Sequence, residues 1–232
     1  MNWSVRMEDK PSIQALIDKA FEPDKERVRS GKYSPSSLGK CYRAQFWNRK
    51  NEPQSNPPDQ RTRRIFKCGD LFHDFVQNTI IAGNSEVAKE VPVENGGFKG
   101  RADLVIGDEV IDIKSQHSKS FWYRRNLDWN KLKTKLYCNI LQVVFYAVQL
   151  EKPKARLVFV SKDDLVIQEY PIEVSKWVLE LAQEIKNLTE IWEKQELPPA
   201  LPRAYPNEKG GFSECGYCSW LDLCNRIEEN CD

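Results

Sequence analysis

The stretch at residues 100–116 (GRADLVIGDEVIDIKSQ) constrains the fold of this chain more than any other part of the sequence. Polar and apolar residues alternate on either side of Gly107-Asp108, and this pattern is typical of a β-hairpin with a two-residue turn. With that turn, Asp103 lies directly opposite Asp112, and Lys114 shares their face because side chains alternate along a strand. The other face is predicted to enter a core and carries Ala102, Leu104, Ile106, Ile111 and Ile113.

The charged face of this hairpin suggests a metal site. Two carboxylates that face each other across a strand pair repel, and a divalent cation between them removes the repulsion. A lysine on the same face can stabilise a developing anion or help to deprotonate the attacking water. An exposed hairpin face lined with charges is the alternative, since Asp-x-Lys alone is common. The grouping of Asp103, Asp112 and Lys114 favours metal-assisted hydrolysis.

The helix predicted for residues 61–82 carries an inward histidine. At 100° per residue, His73 falls on the apolar arc, and Gly69 one turn earlier leaves space beside it. A lone inward histidine is more often a core residue, but an imidazole is also an acceptable third metal ligand. An HD-type phosphohydrolase is disfavoured, because the chain has only 2 histidines. The apolar arc consists of Ile65, Phe66, Phe72, Phe75, Val76 and Ile80.

The remaining patterns predict a mixed α/β (α+β) fold. Strands are predicted at 86–93, 98–106, 109–115, 155–161 and 164–171, and helices at 11–29, 34–50, 61–82, most of 117–150, and 174–194. Helices, then strands, then helices suggest a central mixed sheet flanked by helices. After Leu197 the composition changes to proline, glycine and cysteine, which indicates a loop-rich appendage.

The chain contains 7 cysteines, and their use depends on the compartment. No apolar run is long enough to span a bilayer, and the first residues lack the apolar core of a signal peptide. We therefore expect a cytoplasmic protein without a membrane partner, in which reduced thiols bind a metal or cluster. Cys68 and Cys138 lie in apolar helical segments and are predicted to be core residues.

The other cysteines include a metal-binding pattern near the C-terminus. Cys215-x-x-Cys218 lets two thiolates reach one metal, and Cys224 follows after a short turn. The fourth ligand is either Cys231 or Cys41. The first choice gives a local four-cysteine zinc module, whereas the second clamps an N-terminal helix to the C-terminal tail.

Local charge clusters offer the only electrostatic sign of nucleic-acid binding, because the formal net charge is +1. Basic residues cluster at 25–32, at 61–64 and at 124–135, and the aromatic residues 121–123 precede the third cluster. Such a segment can stack exposed bases while it binds phosphates. Solvated helix faces, with the aromatic rings in a core, are the alternative interpretation.

Four motifs in order resemble the RecB-like branch of the PD-(D/E)xK nucleases, over roughly residues 34–226: Gly69-x-x-x-His73, Gly100-x-x-Asp103, Asp112-x-Lys114 and Gln142-x-x-x-Tyr146. The resemblance implies a restriction-endonuclease-like fold and a metal-dependent DNA nuclease. It also implies that His73, Asp103, Asp112 and the backbone carbonyl of Ile113 bind Mg²⁺ or Mn²⁺, with Lys114 as the catalytic lysine.

By the same resemblance, Gln142 and Tyr146 support the active site and contact DNA. The leading proline-aspartate of the family is Ala102-Asp103 here, a departure that RecB-like members commonly show. Glu90 is a candidate for an additional acidic contribution, although an exposed strand glutamate is the alternative.

The cysteine pattern resembles that of the iron–sulfur nucleases, including the CRISPR-associated protein four family and AddB-type nuclease domains. The resemblance rests on Ser36, Cys41 and Arg43, followed by the three late cysteines. It implies that Cys41, Cys215, Cys218 and Cys224 hold a structural [4Fe–4S] cluster rather than zinc, which leaves Cys231 free. The chain is then a single nuclease domain over 1–232, with a core at about 61–195 and an iron–sulfur staple formed by 34–50 and 198–226.

The likeness further implies an exonuclease that acts on single-stranded DNA or frayed ends, in the 5′-to-3′ direction. Three other functions remain open. The first is a DNA-end-processing subunit that acts with an integrase in CRISPR spacer acquisition. The second is a non-catalytic DNA-binding module, and the third is a zinc-binding interaction protein.

Overall fold

A five-stranded mixed sheet forms the centre of the computed structural model, which describes residues 12–22, 30–200 and 214–229. The strands are β1 (Ala88–Asn95), β2 (Phe98–Ile106), β3 (Glu109–Gln116), β4 (Lys154–Ser161) and β5 (Ile167–Glu173). They lie in this order, and all neighbours are antiparallel except β3 and β4, which are parallel. The predicted mixed sheet flanked by helices is confirmed.

The parallel pair requires a long crossover, because a tight turn can join only antiparallel neighbours. The sequence predicts one long helical region there, but the structure has three helices. Asp128 divides the region, since its side chain accepts the amide N–H of Lys131 and begins a new helix. In the described residues the α-helices are α1 (Ile13–Ala20), α2 (Tyr42–Lys50), α3 (Gln60–Gly83), α4 (Ser118–Arg125), α5 (Trp129–Lys135), α6 (Tyr137–Gln149), α7 (Val178–Lys194) and α8 (Leu221–Glu229).

Two apolar clusters cover opposite faces of the sheet. The larger includes most of α6 and the inward residues Phe98 and Leu157, and the smaller lies under α3 and includes Leu104 and Ile113. Ala102 is predicted to share a face with Leu104, but it packs in the larger cluster. The prediction is wrong because Asp103, which lies between Ala102 and Leu104, has no paired residue in β1, so the regular pairing of β2 is interrupted there.

The apolar arc predicted for α3 faces the protein only in part, mainly at residues of its second half. Val76 and Gln77 are buried, whereas Ile65 is 53% and Phe66 58% exposed. Phe75 and Cys68 are also exposed, so Cys68 is not the predicted core cysteine. A helix of this length spans about 36 Å, longer than the roughly 27 Å of the β3 strand. The sheet therefore leaves part of the helix uncovered.

The C-terminal segment 214–229 packs on α2 and on the loop that follows it. Trp220 packs against Phe46 and Trp47, and its indole N–H donates to the carbonyl of Glu52 (3.2 Å). The amide of Asn56 donates to the carbonyl of Ser219 (2.9 Å). None of the described helices combines the length and apolar character that a membrane span requires.

Candidate active site

The carboxylate hairpin has the predicted register close to its turn. Leu104 faces Ile111, and the next two pairs follow in step to the turn at Gly107. Beyond Leu104 the ladder between β2 and β3 ends, and the Asp103 side chain spans the strands instead. Its Oδ2 accepts the amide N–H of Ile113 at 2.6 Å. Asp103 is thereby fixed against the strand that carries Asp112.

Asp112 is the most deeply buried carboxylate of the site, with 1% of its surface exposed. Its Oδ1 accepts a hydrogen bond from Nζ of Lys114 at 2.9 Å. Its Oδ2 is buried and accepts no hydrogen bond, although the same nitrogen lies at 2.9 Å. Burial raises the pKa of Asp112 to about 6 and the Asp103 charge adds to this, against the opposing charge of Lys114.

Lys114 connects the hairpin to the crossover helix α6. Its Nζ donates to Oδ1 of Asp112 and to Oε1 of Gln142, at 2.9 and 3.1 Å. Burial lowers the pKa of Lys114, but the charges of Asp112 and Asp103 outweigh burial and raise the pKa overall. The ammonium group is therefore held charged and aimed at the carboxylates.

His73 reaches the site from α3. Its Nε2 lies 2.9 Å from Oδ2 of Asp103, the oxygen that also accepts the Ile113 amide. Burial lowers the pKa of His73, but the hydrogen bond and charge of Asp103, with the charges of Asp112 and Glu90, raise it overall. The inward histidine thus lies against the hairpin carboxylate, as the sequence predicts.

Glu90 and Gln77 complete the acidic side of the site. Glu90 lies across from Asp103 in β1 and has a φ of 51°, a left-handed conformation that few glutamates adopt. The Gln77 amide, which is fully buried, donates to Oε1 of Glu90 (2.9 Å) and to the backbone carbonyl of Asp103 (3.2 Å). Gln77 is not among the residues predicted from the sequence, although it follows His73 by one helical turn and so shares its face.

Gln142 and Tyr146 lie one turn apart on α6, behind the hairpin. Tyr146 is 3% exposed, and a Cβ added to Gly100 would lie only 2.5 Å from its hydroxyl oxygen. Burial and the charges of Asp112 and Asp103 raise the pKa of Tyr146. Because both side chains are buried, the geometry favours their role as supports of the site over direct contact with DNA.

The donor set fits a divalent cation. One potential ligand atom each from His73, Glu90 and Asp103 lies within 4.8 Å of the other two. Oδ2 of Asp112 is a further oxygen, which accepts no hydrogen bond and has the Lys114 ammonium group 2.9 Å away. Oxygen-rich sets with one imidazole suit Mg²⁺ or Mn²⁺.

The four predicted cluster ligands come from both ends of the described chain. Cys41 precedes α2, Cys215 and Cys218 flank a short 3₁₀ turn, and Cys224 lies in α8. The first three line a cavity of about 360 Å³. Burial raises the pKa of the Cys218 thiol, and the other three thiols are close enough to raise it further. None of the described cysteines forms a disulfide.

The other cysteine predictions have different outcomes. Cys138 is half-buried beside the larger core, and burial raises its pKa. Cys231 lies outside the described residues, as do residues 25–29 of the first basic cluster. In the aromatic segment that follows the hairpin, Phe121 is buried in the core, whereas Trp122 and Tyr123 are exposed. One ring therefore lies in a core, and the other two are exposed, where they can stack on bases. Each interpretation of the segment holds in part.

Solved structures show the same fold. The crystal structure of SSO0001 is 21% identical, with a TM-score of 0.55, and the match covers 90% of this chain and 94% of that chain. A phage-related exonuclease from Haemophilus somnus 129PT is 13% identical, with a TM-score of 0.51, and the match covers 78% of this chain and 93% of that chain. Likeness at such identities shows the fold alone.

Sequence comparison identifies the family. No curated protein matches the sequence. Residues 15–225 match the family model described as the PD-(D/E)XK nuclease superfamily. Since this match spans nearly all of the described residues and the mixed sheet agrees with the restriction-endonuclease-like fold, the chain belongs to the PD-(D/E)XK nuclease superfamily.

Proposed function

We propose that this protein is a metal-dependent DNA nuclease that hydrolyses phosphodiester bonds at the site of Asp103, Asp112 and Lys114. The observation that carries the proposal is the grouping of a buried Asp112–Lys114 ion pair with the ligand atoms of His73, Glu90 and Asp103. Lys114 offsets one negative charge, but the site holds further carboxylates, and a divalent cation balances such a group. Membership of a nuclease superfamily supports the same chemistry.

His73, Asp103, Asp112 and the backbone carbonyl of Ile113 would hold Mg²⁺ or Mn²⁺, with Glu90 within reach as a further oxygen ligand. When bound, the cation supplies a Lewis acid for the phosphate and makes a nucleophilic water available at neutral pH. Three ligands are fixed by the protein itself, since Asp103 is tied to Ile113 and His73, and Glu90 is tied to Gln77.

Lys114 stabilises negative charge on the attacked phosphate in this scheme. Its ammonium group is held by Asp112 and Gln142, so it needs little reorganisation when charge develops. Gln142 in turn is positioned by its place on α6, where Tyr146 lies one turn on against Gly100. The helix therefore acts as the support of the catalytic lysine.

We further propose that the substrate is single-stranded DNA or a frayed end, degraded as an exonuclease does and in the 5′-to-3′ direction. The exposed rings of Trp122 and Tyr123 support a single-stranded substrate, because they follow the proposed catalytic strand and can stack on unpaired bases. The direction of cleavage rests on the family likeness alone. Arg125 packs over the Trp122 ring at 5.0 Å and adds a cation beside it. End processing for a CRISPR integrase uses the same chemistry with a partner protein.

A non-catalytic DNA-binding module is disfavoured, because a site that has lost its activity has no need of a buried carboxylate–lysine pair. The deciding experiment incubates anaerobically purified protein with end-labelled single- and double-stranded DNA, in Mg²⁺, Mn²⁺ or EDTA. Lys114→Ala is compared with Lys119→Ala, which removes an equal charge from α4. We expect metal-dependent cleavage that Lys114→Ala reduces by at least about a hundredfold and Lys119→Ala retains.

The product ladder from each labelled end reports the direction of cleavage. Cleavage that proceeds equally in EDTA would contradict the role of the metal, and equal activity of the Lys114→Ala variant would contradict the role of the lysine. If the wild type and both variants leave every DNA intact, the nuclease proposal is wrong.

We also propose that Cys41, Cys215, Cys218 and Cys224 hold a structural [4Fe–4S] cluster. Cys41, Cys215 and Cys218 line one cavity, and Cys224 is close enough to Cys218 for its charge to act on that thiol. Four thiolates suit zinc as well as iron. The likeness of the cysteine pattern to that of the iron–sulfur nucleases supports the cluster, whose usual ligands are thiolates.

A further inference from the structure

A second cleft, of about 770 Å³, opens beside the candidate active site. One wall is the first part of α3, and the other is the end of β3 with the start of α4. Its polar lining consists of Arg61, Arg64, Ser115, His117, Ser120 and Lys162, together with Gln116. None of these groups belongs to the carboxylate–lysine site described above.

The charge of this cleft suits an anion. Arg61, Arg64 and Lys162 are cationic, and among the residues that the structure describes no carboxylate is part of the lining. Arg61 and Lys162 form no ion pair with any described carboxylate, and the Ser115 and Ser120 hydroxyls add neutral donors. Several cations with hydroxyl groups in an open cleft are typical of contacts to a phosphate backbone.

The cleft and the proposed reaction centre share two elements, β3 and α3. Ser115 directly follows Lys114 in β3, and Arg64 lies on the same helix as His73. The two α3 residues are roughly 14 Å apart along the helix axis and point to opposite sides of it, so the cleft is a subsite separate from the reaction centre.

One arginine of the cleft is already paired with a carboxylate from α1. Nη1 of Arg64 donates to Oδ1 of Asp18, which also accepts a hydrogen bond from Gln14 at 3.2 Å. The α1 helix has no buried residue, and Ile13 and Leu16 are exposed on it. Among the described residues, α1 has no extensive contact with another helix or strand, so a phosphate can compete with Asp18 for Arg64.

We propose that this cleft binds backbone phosphates of the DNA strand away from the scissile phosphate, and that Asp18 competes with them for Arg64. The inference rests on the proposed function and extends it, since it assigns a substrate subsite outside the reaction centre. The cleft residues bind and orient the strand and take no part in the chemistry.

The test is DNA binding in EDTA, where the proposed cleavage cannot occur. The affinity of a labelled single-stranded oligonucleotide is measured by fluorescence anisotropy over a range of salt concentrations. The cleft variant is Arg61→Ala/Lys162→Ala. The matched control is Arg63→Ala/Lys67→Ala, which removes the same charge from α3 residues outside the cleft. Thermal unfolding of each variant checks that the fold is retained.

We expect the cleft variant to bind DNA roughly tenfold more weakly than the control at low salt. For this variant, the slope of log K plotted against log salt concentration should be shallower by about 0.7 for each phosphate that it no longer neutralises. Asp18→Asn should tighten binding by up to about fivefold, because it frees Arg64. In wild type, the affinity should rise when the oligonucleotide becomes long enough to reach the cleft. The cleft variant should not show this rise.

The outcomes separate this inference from the proposed function. If wild type cleaves DNA in Mg²⁺ but the cleft variant binds as the control does, the cleft is not a phosphate site and the nuclease proposal is unaffected. If wild type cleaves no DNA but the cleft variant binds DNA more weakly, the cleft inference stands and the nuclease proposal fails. Unchanged affinity in Asp18→Asn would overturn the competition between Asp18 and phosphate.

Discussion

Glu90 shows how the site depends on the backbone conformation of one residue. A positive φ at a residue other than glycine costs about 1 kcal/mol, and the surrounding structure must compensate for it. Here that conformation directs the carboxylate toward His73 and Asp103, and the buried Gln77 amide holds it there. The strain is thus located at a group of the candidate metal site.

This conformation predicts different stabilities for two variants without the carboxylate. Glu90→Gly adopts the positive φ without steric cost, whereas Glu90→Ala retains the strain. We expect the glycine variant to have a free energy of unfolding about 1 kcal/mol higher than that of the alanine variant, measured with urea. Both should bind Mn²⁺ more weakly than wild type in calorimetry. Equal stabilities would show that the conformation is not strained.

Gly100 is fixed by the packing of Tyr146. A Cβ at this position would lie 2.5 Å from the tyrosine hydroxyl oxygen and 3.0 Å from Cδ of Pro35. Because both neighbours are rigid rings, we expect Gly100→Ala to lower the free energy of unfolding by about 1–3 kcal/mol. The displaced Tyr146 should also lower the rate of cleavage. A variant with wild-type stability and activity would contradict this close packing.

Part of the site follows from the sequence because its signals are local. The turn at Gly107-Asp108 and the alternation around it determine the hairpin register, so Asp103, Asp112 and Lys114 come together as expected. The conformation of Glu90 has no such signal, since it depends on the contact with Gln77 from another element. Sequence patterns therefore locate the strand of the candidate site but not every group around it.

At the scale of elements, α3 shows the limit of amphipathic patterns. The periodicity predicts the helix correctly, but it assumes a neighbour along the whole apolar face. Ile65 and Phe66 are exposed because the sheet covers only the later turns. The division of the crossover into three helices is also missed, because a capping aspartate such as Asp128 leaves the apolar periodicity nearly continuous.

Gly69 in the middle of α3 offers a test of this element. Glycine is about 0.8–1 kcal/mol less favourable than alanine in a helix interior, and a Cβ at this position meets nothing within 4 Å. We therefore expect Gly69→Ala to raise the free energy of unfolding by about 0.5–1 kcal/mol, the opposite of Gly100→Ala. Urea unfolding of the two variants in parallel measures both. A destabilised Gly69→Ala protein would mean that the space beside the helix is not open.

At the scale of the whole molecule, the four cysteines proposed as cluster ligands come from distant parts of the chain. Arg43, which is buried at the same junction, donates to Cys224 Sγ (3.3 Å), to Glu228 (2.7 Å) and to the carbonyl of Pro198 (2.7 Å). A cluster held by Cys41 and three late cysteines would therefore reinforce a contact that the polypeptide already makes.

The predicted consequence is a loss of iron together with a loss of stability. We expect Cys41→Ser, purified anaerobically, to lose the bound iron and sulfide. Its Tm should fall by roughly 5–10 °C, equivalent to about 2–3 kcal/mol for a chain of this size. Cys138→Ser serves as the control, since this half-buried thiol lies on α6 outside the predicted ligand set. Zinc in place of iron in the wild-type protein, shown by metal analysis, would contradict the cluster assignment.

The parallel pairing of β3 with β4 has a consequence for protein synthesis. β3 carries Asp112 and Lys114, yet its neighbour β4 is translated only after the whole crossover that supplies Gln142. Contacts so far apart in sequence form late, because a long loop must close before they are made. A nascent chain released before β4 therefore lacks the ordered reaction centre. Under the proposed function, an interrupted round of translation would leave a fragment without nuclease activity.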